Sequence, residues 1–323
     1  MQREPKDVFK PSRRHLLVGS LAAVGGILAA DPLAAAEPRK GGFRFAHLTD
    51  MHVKPERGSP DGYAKALASL VDIHPAPEFL ITGGDHVMET LESTRARADK
   101  QWDVFQKVHS EGTKLKTYPV IGNHDIWGWC AKADYDKEQG FGKALALDRL
   151  QIPRGYYSFD AGGWHLIVLD NVQRRDKAYF GDLDPEQLEW LKGDLAANAS
   201  KKPVCIVSHI PIVSICALFF QYGNDKPPTT FWRMGDNLMH RDCKPLVKLL
   251  AQHNVKLCIS GHIHLLDRLE YLGVNFICDG AVSGAWWGGP FQECAEGYGL
   301  FDLYPDGTFD HQYITYGWTP PKT

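Results

Sequence analysis

No stretch of this 323-residue chain is apolar for the roughly 20 residues that a membrane-spanning helix requires. Its one extended apolar run, near the N-terminus, holds only about 15. Lysine and arginine never gather into a block. The 36 basic and 39 acidic side chains nearly cancel, for a net charge of −3, so the positive footprint that a nucleic-acid duplex demands is missing. None of the seven cysteines forms a CxxC pair, which removes the common spacing of structural zinc and of dithiol redox centres. Beyond the N-terminal stretch there is no low-complexity tract, internal repeat or linker, so residues 40–323 read as one domain. At 44% hydrophobic residues the chain has the material for a full core.

The N-terminal residues 1–36 have a different character. Ser12, Arg13, Arg14, Leu16 and Leu17 match the pattern of a bacterial twin-arginine export signal, which this segment resembles, and His15 takes the free position. The small-residue series that follows places cleavage after Ala36. The expectation is a signal peptide read by export machinery, a periplasmic or otherwise exported protein, and no transmembrane span once the signal is cut. An uncleaved N-terminal anchor draws on the same apolar run. Removing 1–36 takes away five basic and three acidic side chains and leaves a net charge near −5. Cys205, Cys258 and Cys278 sit in apolar strand-like runs and read as buried free thiols. Cys130, Cys216, Cys243 and Cys294 fall in loops or helix starts, where their sequence positions assign no disulfide partners.

Short apolar runs bounded by turn residues recur as FRFAHL, FLIT, TYPVI, GYYSF, WHLIVL, VCIVS, KLCIS and NFICD. They read as strands, mostly buried on both faces. Between them, YAKALASLVDI, the stretch Glu89–Ser110, DPEQLEWLKGDLAAN and CKPLVKLLAQHNV carry helical spacing; Asp184 caps the third, with Pro185 at its first position. The alternation predicts an α/β layer fold, closed by a hairpin around Pro305, Asp306 and Gly307.

Five of these strands end in one kind of chemistry: Asp50 and His52; Asp85; Asn123, His124 and Asp125; His209; His262 and His264. The carboxyl ends of strands in α/β sheets share a rim where ligands bind. One histidine after a strand carries little weight, and His47, His74, His109, His165, His240, His253 and His311 read as structural or surface residues, with His86 ambiguous. The five groups together form a donor set of imidazole, carboxylate and amide that suits Mn, Fe or Zn. Seven such donors exceed what one ion accepts. Two ions then need a shared ligand, and Asp85 is the natural bridging carboxylate. Asp50 and His52, two apart on an extended chain, point to one side.

The series DMH, GGD, GNHD, an isolated His after VCIVS, and GHIH resembles the calcineurin-like metallophosphoesterase superfamily, whose pattern is D-x-H, G-D, G-N-H-D/E, H and G-H-x-H. The blocks span residues 50–264 in order. The resemblance implies a four-layer α/β/β/α sandwich of two mixed sheets flanked by helices. It implies two divalent or mixed-valence transition-metal ions, one held by Asp50, His52 and His264, the other by Asn123, His209 and His262, with Asp85 bridging. His124 is then a catalytic imidazole and Asp125 its orienting partner. The implied reaction is hydrolysis of a small phosphate ester by a hydroxide bridging the ions. The DMH block fits the phosphodiesterase branch; a phosphomonoesterase on the same site and a catalytically silent metal-binding scaffold are the alternatives. Purple acid phosphatases place a Tyr three residues after the bridging Asp, where this chain has Met88, so a Tyr-ligated Fe(III) centre is not expected. Gly83 and His86 depart from the pattern. Trp127, Trp129 and the GAWWGGPF stretch offer indoles that suit an aromatic or apolar group on the substrate, or else pack in the core or a lid.

The export reading is tested by replacing Arg13 and Arg14 together with lysine: the variant stays inside the cell at full length, as mass spectrometry of cell fractions reads. A pair variant exported and shortened like the parent removes the twin-arginine reading.

Overall fold

The computed structural model describes residues 41–56, 58–222 and 234–321. The export-signal reading on residues 1–36 lies outside the described residues. In chain order the elements are β1 (Phe43–Leu48), α1 (Ser59–Ser69), β2 (Phe79–Thr82), α2 (Arg95–Gly112), β3 (Lys116–Pro119), α3 (Lys143–Leu150), β4 (Tyr157–Ala161), β5 (Trp164–Leu169), β6 (Val172–Arg175) and β7 (Ala178–Gly181). They continue with α4 (Pro185–Asn198), β8 (Val204–Ser208), α5 (Cys216–Tyr222), α6 (Cys243–Gln252), β9 (Val255–Ser260), β10 (Asp267–Tyr271), β11 (Val274–Cys278), β12 (Gly297–Leu303) and β13 (Phe309–Thr315).

Two mixed sheets dominate. The first runs β13-β12-β1-β2-β3, with β1, β2 and β3 parallel; the second runs β10-β11-β9-β8-β5-β4, parallel in its centre and antiparallel at both edges. Alternation along the strands divides the core. Phe43 and Phe45 of β1 meet Trp164, Leu166 and Val168 of β5 between the sheets. Ala46 and Leu48 of β1 point the other way, into the layer that holds Leu67 of α1 and Trp102 and Phe105 of α2. Ile167 and Leu169 of β5 likewise pack with Leu191 of α4 and Leu246 of α6. Helix, sheet, sheet, helix is the four-layer α/β sandwich that the motif pattern implied.

The helix signals act as expected. Asp184 accepts from the Gln187 amide at 2.9 Å, and Thr94 caps α2 by accepting from Arg97 N. The hairpin of β12 and β13 closes over Asp306 and Gly307. The elements without a sequence signal are short and half-exposed: β6 and β10 are rich in charge, β7 has only four residues, and α3 and α5 have eight and seven. The TYPVI run leaves the sheet after Pro119, and the GYYSF run pairs later, over Tyr157–Ala161.

A buried ion pair ties the ends of the domain. Arg44 and Asp302 are register partners on β1 and β12, joined by two 2.8 Å bonds at 2% and 3% side-chain exposure. Fork-to-fork geometry offsets part of the desolvation cost, and removing one partner strands the other charge. Asp302→Ala is expected to cost roughly 3–5 kcal/mol in urea unfolding, and Arg44→Met with Asp302→Leu clearly less. A single-variant loss below about 1 kcal/mol would show the pair to be dispensable.

Candidate metal centre

The chain ends of β1, β2 and β3 in one sheet and of β8 and β9 in the other open onto a shared edge. Asp50 and His52 follow β1, Asp85 follows β2, Asn123 to Asp125 follow β3, His209 follows β8, and His262 and His264 follow β9. Every one of these except His124 is buried. Three sets of donor atoms each lie within 4.8 Å of one another: Asp50, His52 and His264; His52, Asp85 and His124; Asp85, His209 and His262. Asn123 joins them, with Oδ1 3.1 Å from His209 Nε2.

The loops reach this convergence through left-handed backbone rather than extended chain. Asp50, His52, Asp85, His262 and His264 have φ of 55°, 45°, 53°, 72° and 59°. Asp50 and His52 do share a side, as the spacing indicated, but by this route. Non-glycine residues enter that region at a cost of about 1 kcal/mol or more each, and the surroundings hold them there. Asp50 N donates to Gly84 O at 3.0 Å, His52 N to Asp85 O at 2.9 Å, and His262 N to Asp50 Oδ2 at 2.8 Å. Gly84 explains the GGD block: its φ is +98°, and a Cβ there would sit 2.5 Å from His209 Nδ1. At Gly122 a Cβ would sit 2.2 Å from Asp85 Oδ1.

Protonation follows from the partners, since a carbonyl can only accept. His209 Nδ1–H donates to Gly83 O at 2.9 Å, His264 Nδ1–H to Gly284 O at 2.7 Å, and His262 Nε2–H to Asn237 O at 2.8 Å. Each ring therefore turns its second nitrogen inward; burial opposes the charged form of His209, but Asp85 outweighs it and pushes that imidazole up to about 9. His209 Nε2 and His262 Nδ1 face each other at 3.2 Å, with Asp85 Oδ2 3.3 Å from His209 Nε2. At the other end Asp50 Oδ1 is buried without a hydrogen-bond partner, 3.3 Å from His264 Nε2, while His52 Nε2 lies 3.0 Å from that same His264 nitrogen and 3.6 Å from Asp85 Oδ2. Imidazole nitrogens and carboxylates gathered this closely are the donor set that borderline cations prefer, and a cation would take the place of the proton that His209 shares with Asp85, so the residues fit a pair of metal ions with Asp85 at the junction.

Electrostatics point the same way. Burial lowers the His262 imidazole to about 3, with His209 adding to the effect. Burial works against the Asp85 charge, yet His209 and His124 outweigh it and hold the carboxyl well below the usual range.

His124 stands at the edge of this cluster, 23% exposed, its Nε2 4.0 Å from Asp85 Oδ2 and its ring edge-on to His52 at 4.7 Å. Its Nδ1–H donates to Met88 O at 2.6 Å, with Glu89 Oε2 at 3.3 Å. Burial opposes its charged form, but Asp85 and Glu89 outweigh that and push it up to about 9. Asp125 does not orient it, which corrects the expectation from the GNHD block. The Asp125 carboxylate is 0% exposed and accepts from the amides of Gly122 (2.9 Å), Asp85 (3.0 Å) and His86 (2.8 Å), and meets His86 Nδ1 at 2.9 Å. Its backbone sits on a 3-10 turn whose side chain points back under the β2 loop. His86 is thereby explained as a strut between Asp125 and Thr82. Glu89, four residues after Asp85, carries the orienting role and had no motif to mark it.

The tryptophans divide. Trp127, Trp129 and Trp287 are packed in the core. Trp286 is half-buried and lies 4.7 Å from the His264 ring and 6.0 Å from the His52 ring.

Comparison with known proteins places this geometry in context. The family described as calcineurin-like phosphoesterase matches residues 43–266. Purple acid phosphatase 15 of Arabidopsis thaliana is 23% identical over 218 residues, which cover 61% of this chain and 36% of that protein. A dimetal phosphatase from Danio rerio superposes with a TM-score of 0.56 at 16% identity, over 85% of this chain and 99% of that one. Purple acid phosphatase PPD1 from yellow lupin, Lupinus luteus, gives 0.55 at 16% identity, over 86% and 53%.

Two ions per chain are expected by elemental analysis after loading with Mn, Fe or Zn, each site adding about 2.7 kcal/mol of stability at a hundredfold excess over its dissociation constant. Asp85→Ala loses at least one ion and that stabilisation. A variant that keeps both would displace Asp85 from the shared position.

Proposed function

The chain belongs to the calcineurin-like phosphoesterase family, and from that premise we propose that it is a metal-dependent hydrolase of phosphate esters, acting by preference on diesters. The observation that carries this reading is the convergence of imidazole nitrogens and carboxylate oxygens around Asp85 in a buried cluster, the donor set of a metal pair. When bound, two transition-metal ions supply positive charge for the phosphoryl oxygens and an acidified water for attack. Asp50, His52 and His264 would hold one, Asn123, His209 and His262 the other, and Asp85 both.

The remaining steps belong to the chain. Met88 O fixes the His124 ring through Nδ1, which leaves Nε2 turned to the cluster to hold a proton for the departing oxygen. Glu89 keeps that proton in place by charge. The diester preference rests on charge count. The partners that lower Asp50 and Asp85 are histidines, with no lysine or arginine among the leading ones. One imidazolium balances the single charge of a diester better than the two of a monoester. Export through the segment 1–36, with cleavage after Ala36, fits a protein that folds around metal before it crosses a membrane.

A phosphomonoesterase on the same residues is the second reading, which the alcohol-side acid His124 serves equally well. Metal-loaded protein assayed on bis-p-nitrophenyl phosphate and p-nitrophenyl phosphate decides between them: a higher kcat/KM on the diester is expected, and the reverse order moves the protein to the monoester reading. His124→Ala keeps both ions but loses roughly 10²-fold or more in turnover of an ester with a poor leaving group. Parent-level turnover by that variant removes His124 from the chemistry, and no hydrolysis by loaded wild type favours a silent metal-binding scaffold.

A further inference from the structure

Two adjacent tryptophans in the 284–291 loop take opposite directions. Both have left-handed backbone, Trp286 at φ 52° and Trp287 at φ 71°. Bulky residues rarely occupy that region, and consecutive ones need a reason. Trp287 is 1% exposed, its indole N–H donating to His52 O at 3.0 Å and its ring against Trp318 at 5.6 Å. It anchors the loop to the metal cluster. The loop is closed by Ala285 N to Gly289 O at 2.8 Å and by Trp287 N to Ser283 O at 2.7 Å. With its neighbour anchored, Trp286 is held beside the His264 and His52 rings, half-buried, and Phe291 stands edge-on to it at 5.5 Å. Phe220 extends this apolar surface, 5.7 Å from Phe291.

Position within the site gives the wall its role. The His52 ring has both His124, 4.7 Å away, and Trp286, 6.0 Å away, as ring neighbours. His209, His262 and Asn123 occupy the other end, where among the described residues Tyr179 stands 6.2 Å from His262. Trp286 thus shares the end of the site where His124 delivers its proton. We infer that Trp286 binds the departing alcohol, and that the preferred substrates are phosphate esters whose leaving group carries a planar aromatic ring, such as an aryl or nucleoside-like alcohol. This rests on the phosphoester-hydrolase reading above. In the step itself the water oxygen forms the new bond to phosphorus and gives up one proton to solvent, from which His124 recovers the proton it delivers. The phosphorus–oxygen bond to the alcohol breaks with its electron pair on the alcohol oxygen, and that oxygen takes the proton from His124 Nε2. A ring on the alcohol then lies over the indole, an offset-stacked contact that other parts of the substrate do not supply.

The test compares a phenyl ester with a hexafluoroisopropyl ester of the same phosphate, alcohols of similar acidity that differ in having a ring. In Trp286→Ala the aryl-to-alkyl ratio of kcat/KM is expected to fall about tenfold, and Trp286→Phe to hold most of it. Binding is read separately: phenylphosphonate quenches indole fluorescence in the metal-loaded wild type, methylphosphonate does not, and Trp286→Phe removes the quenching. A ratio that stays within about twofold in Trp286→Ala, with two ions bound and both esters still hydrolysed, overturns the assignment and leaves the hydrolase reading intact. A loaded wild type that hydrolyses neither ester removes the hydrolase reading, and this inference with it.

Discussion

The Asp85 carboxylate is the point on which the structure turns. Its Oδ2 lies 3.3 Å from His209 Nε2, 3.6 Å from His52 Nε2 and 4.0 Å from His124 Nε2, while Oδ1 accepts the His124 amide at 2.8 Å. One oxygen faces both halves of the donor cluster and the other is fixed by backbone, so the charge cannot swing away. Two glycines make that placement possible. Gly84 and Gly122 leave no Cβ where His209 and Asp85 must pass, and no other residue type could stand at either place without shifting a ligand. Asp125, beneath, accepts from the amides of Gly122, Asp85 and His86 and so joins the β2 and β3 loops through a single buried carboxylate. A carboxylate that collects several amide bonds is stabilised in its charged form and rigid, which suits a fixed foundation better than a moving proton.

Much of this was legible in the residues and some of it was not. The seven donors were marked because each follows a strand-like run, and six of them follow strands largely buried on both faces, which announce themselves as apolar runs ending in polar turns; Asn123 follows the partly exposed edge strand β3. The alternation of strand and helix made an α/β layer fold legible, while the four-layer order came from the family resemblance. Asp125 was misread because its neighbour in sequence, His124, is not its neighbour in space: the 3-10 turn sends the two side chains in different directions. Glu89 and the carbonyls of Met88, Gly83, Asn237 and Gly284 carry the orienting roles, and a backbone carbonyl has no sequence signature. The tryptophans show the same limit. Trp127 and Trp129 stand two apart beside the GNHD block, yet both are held in the core, Trp127 by its N–H to Ser93 O at 3.0 Å. Of the indoles that the sequence placed near the centre, Trp286 of the GAWWGGPF stretch stands beside the ligand rings, while Trp127, Trp129 and Trp287 pack in the core.

The two sheets contribute unlike things to the edge they share. β1, β2 and β3 deliver the carboxylates and the amide, while β8 and β9 deliver three of the four inward imidazoles. Neither sheet holds a complete set, so the site exists only when the interface between them is formed. That interface is a dense apolar layer, with Phe45 stacked on Phe79 at 5.3 Å and on Phe301 at 5.2 Å. Its rigidity matters for ligands whose backbone is left-handed at five places. Strain at such positions relaxes if the surroundings yield, and close-packed interiors yield little.

The loop after β11 joins metal holding to substrate recognition. Val282 N and Ser283 N donate to Thr49 O and Asp50 O at 2.9 and 3.2 Å, Gly284 O accepts from His264, and Trp287 donates to His52 O. Three of the candidate ligands, Asp50, His52 and His264, are therefore oriented by a single segment, and Trp286 belongs to it. A change in that segment which moved the indole would also move the carbonyl that sets the His264 tautomer, and with it the basicity of the nitrogen turned to the metal. The shape of the wall and the grip on one ion are mechanically the same variable. Selectivity for the alcohol cannot drift far without a penalty in metal affinity, and this coupling gives a physical reason for two adjacent tryptophans to accept a backbone that neither would adopt alone.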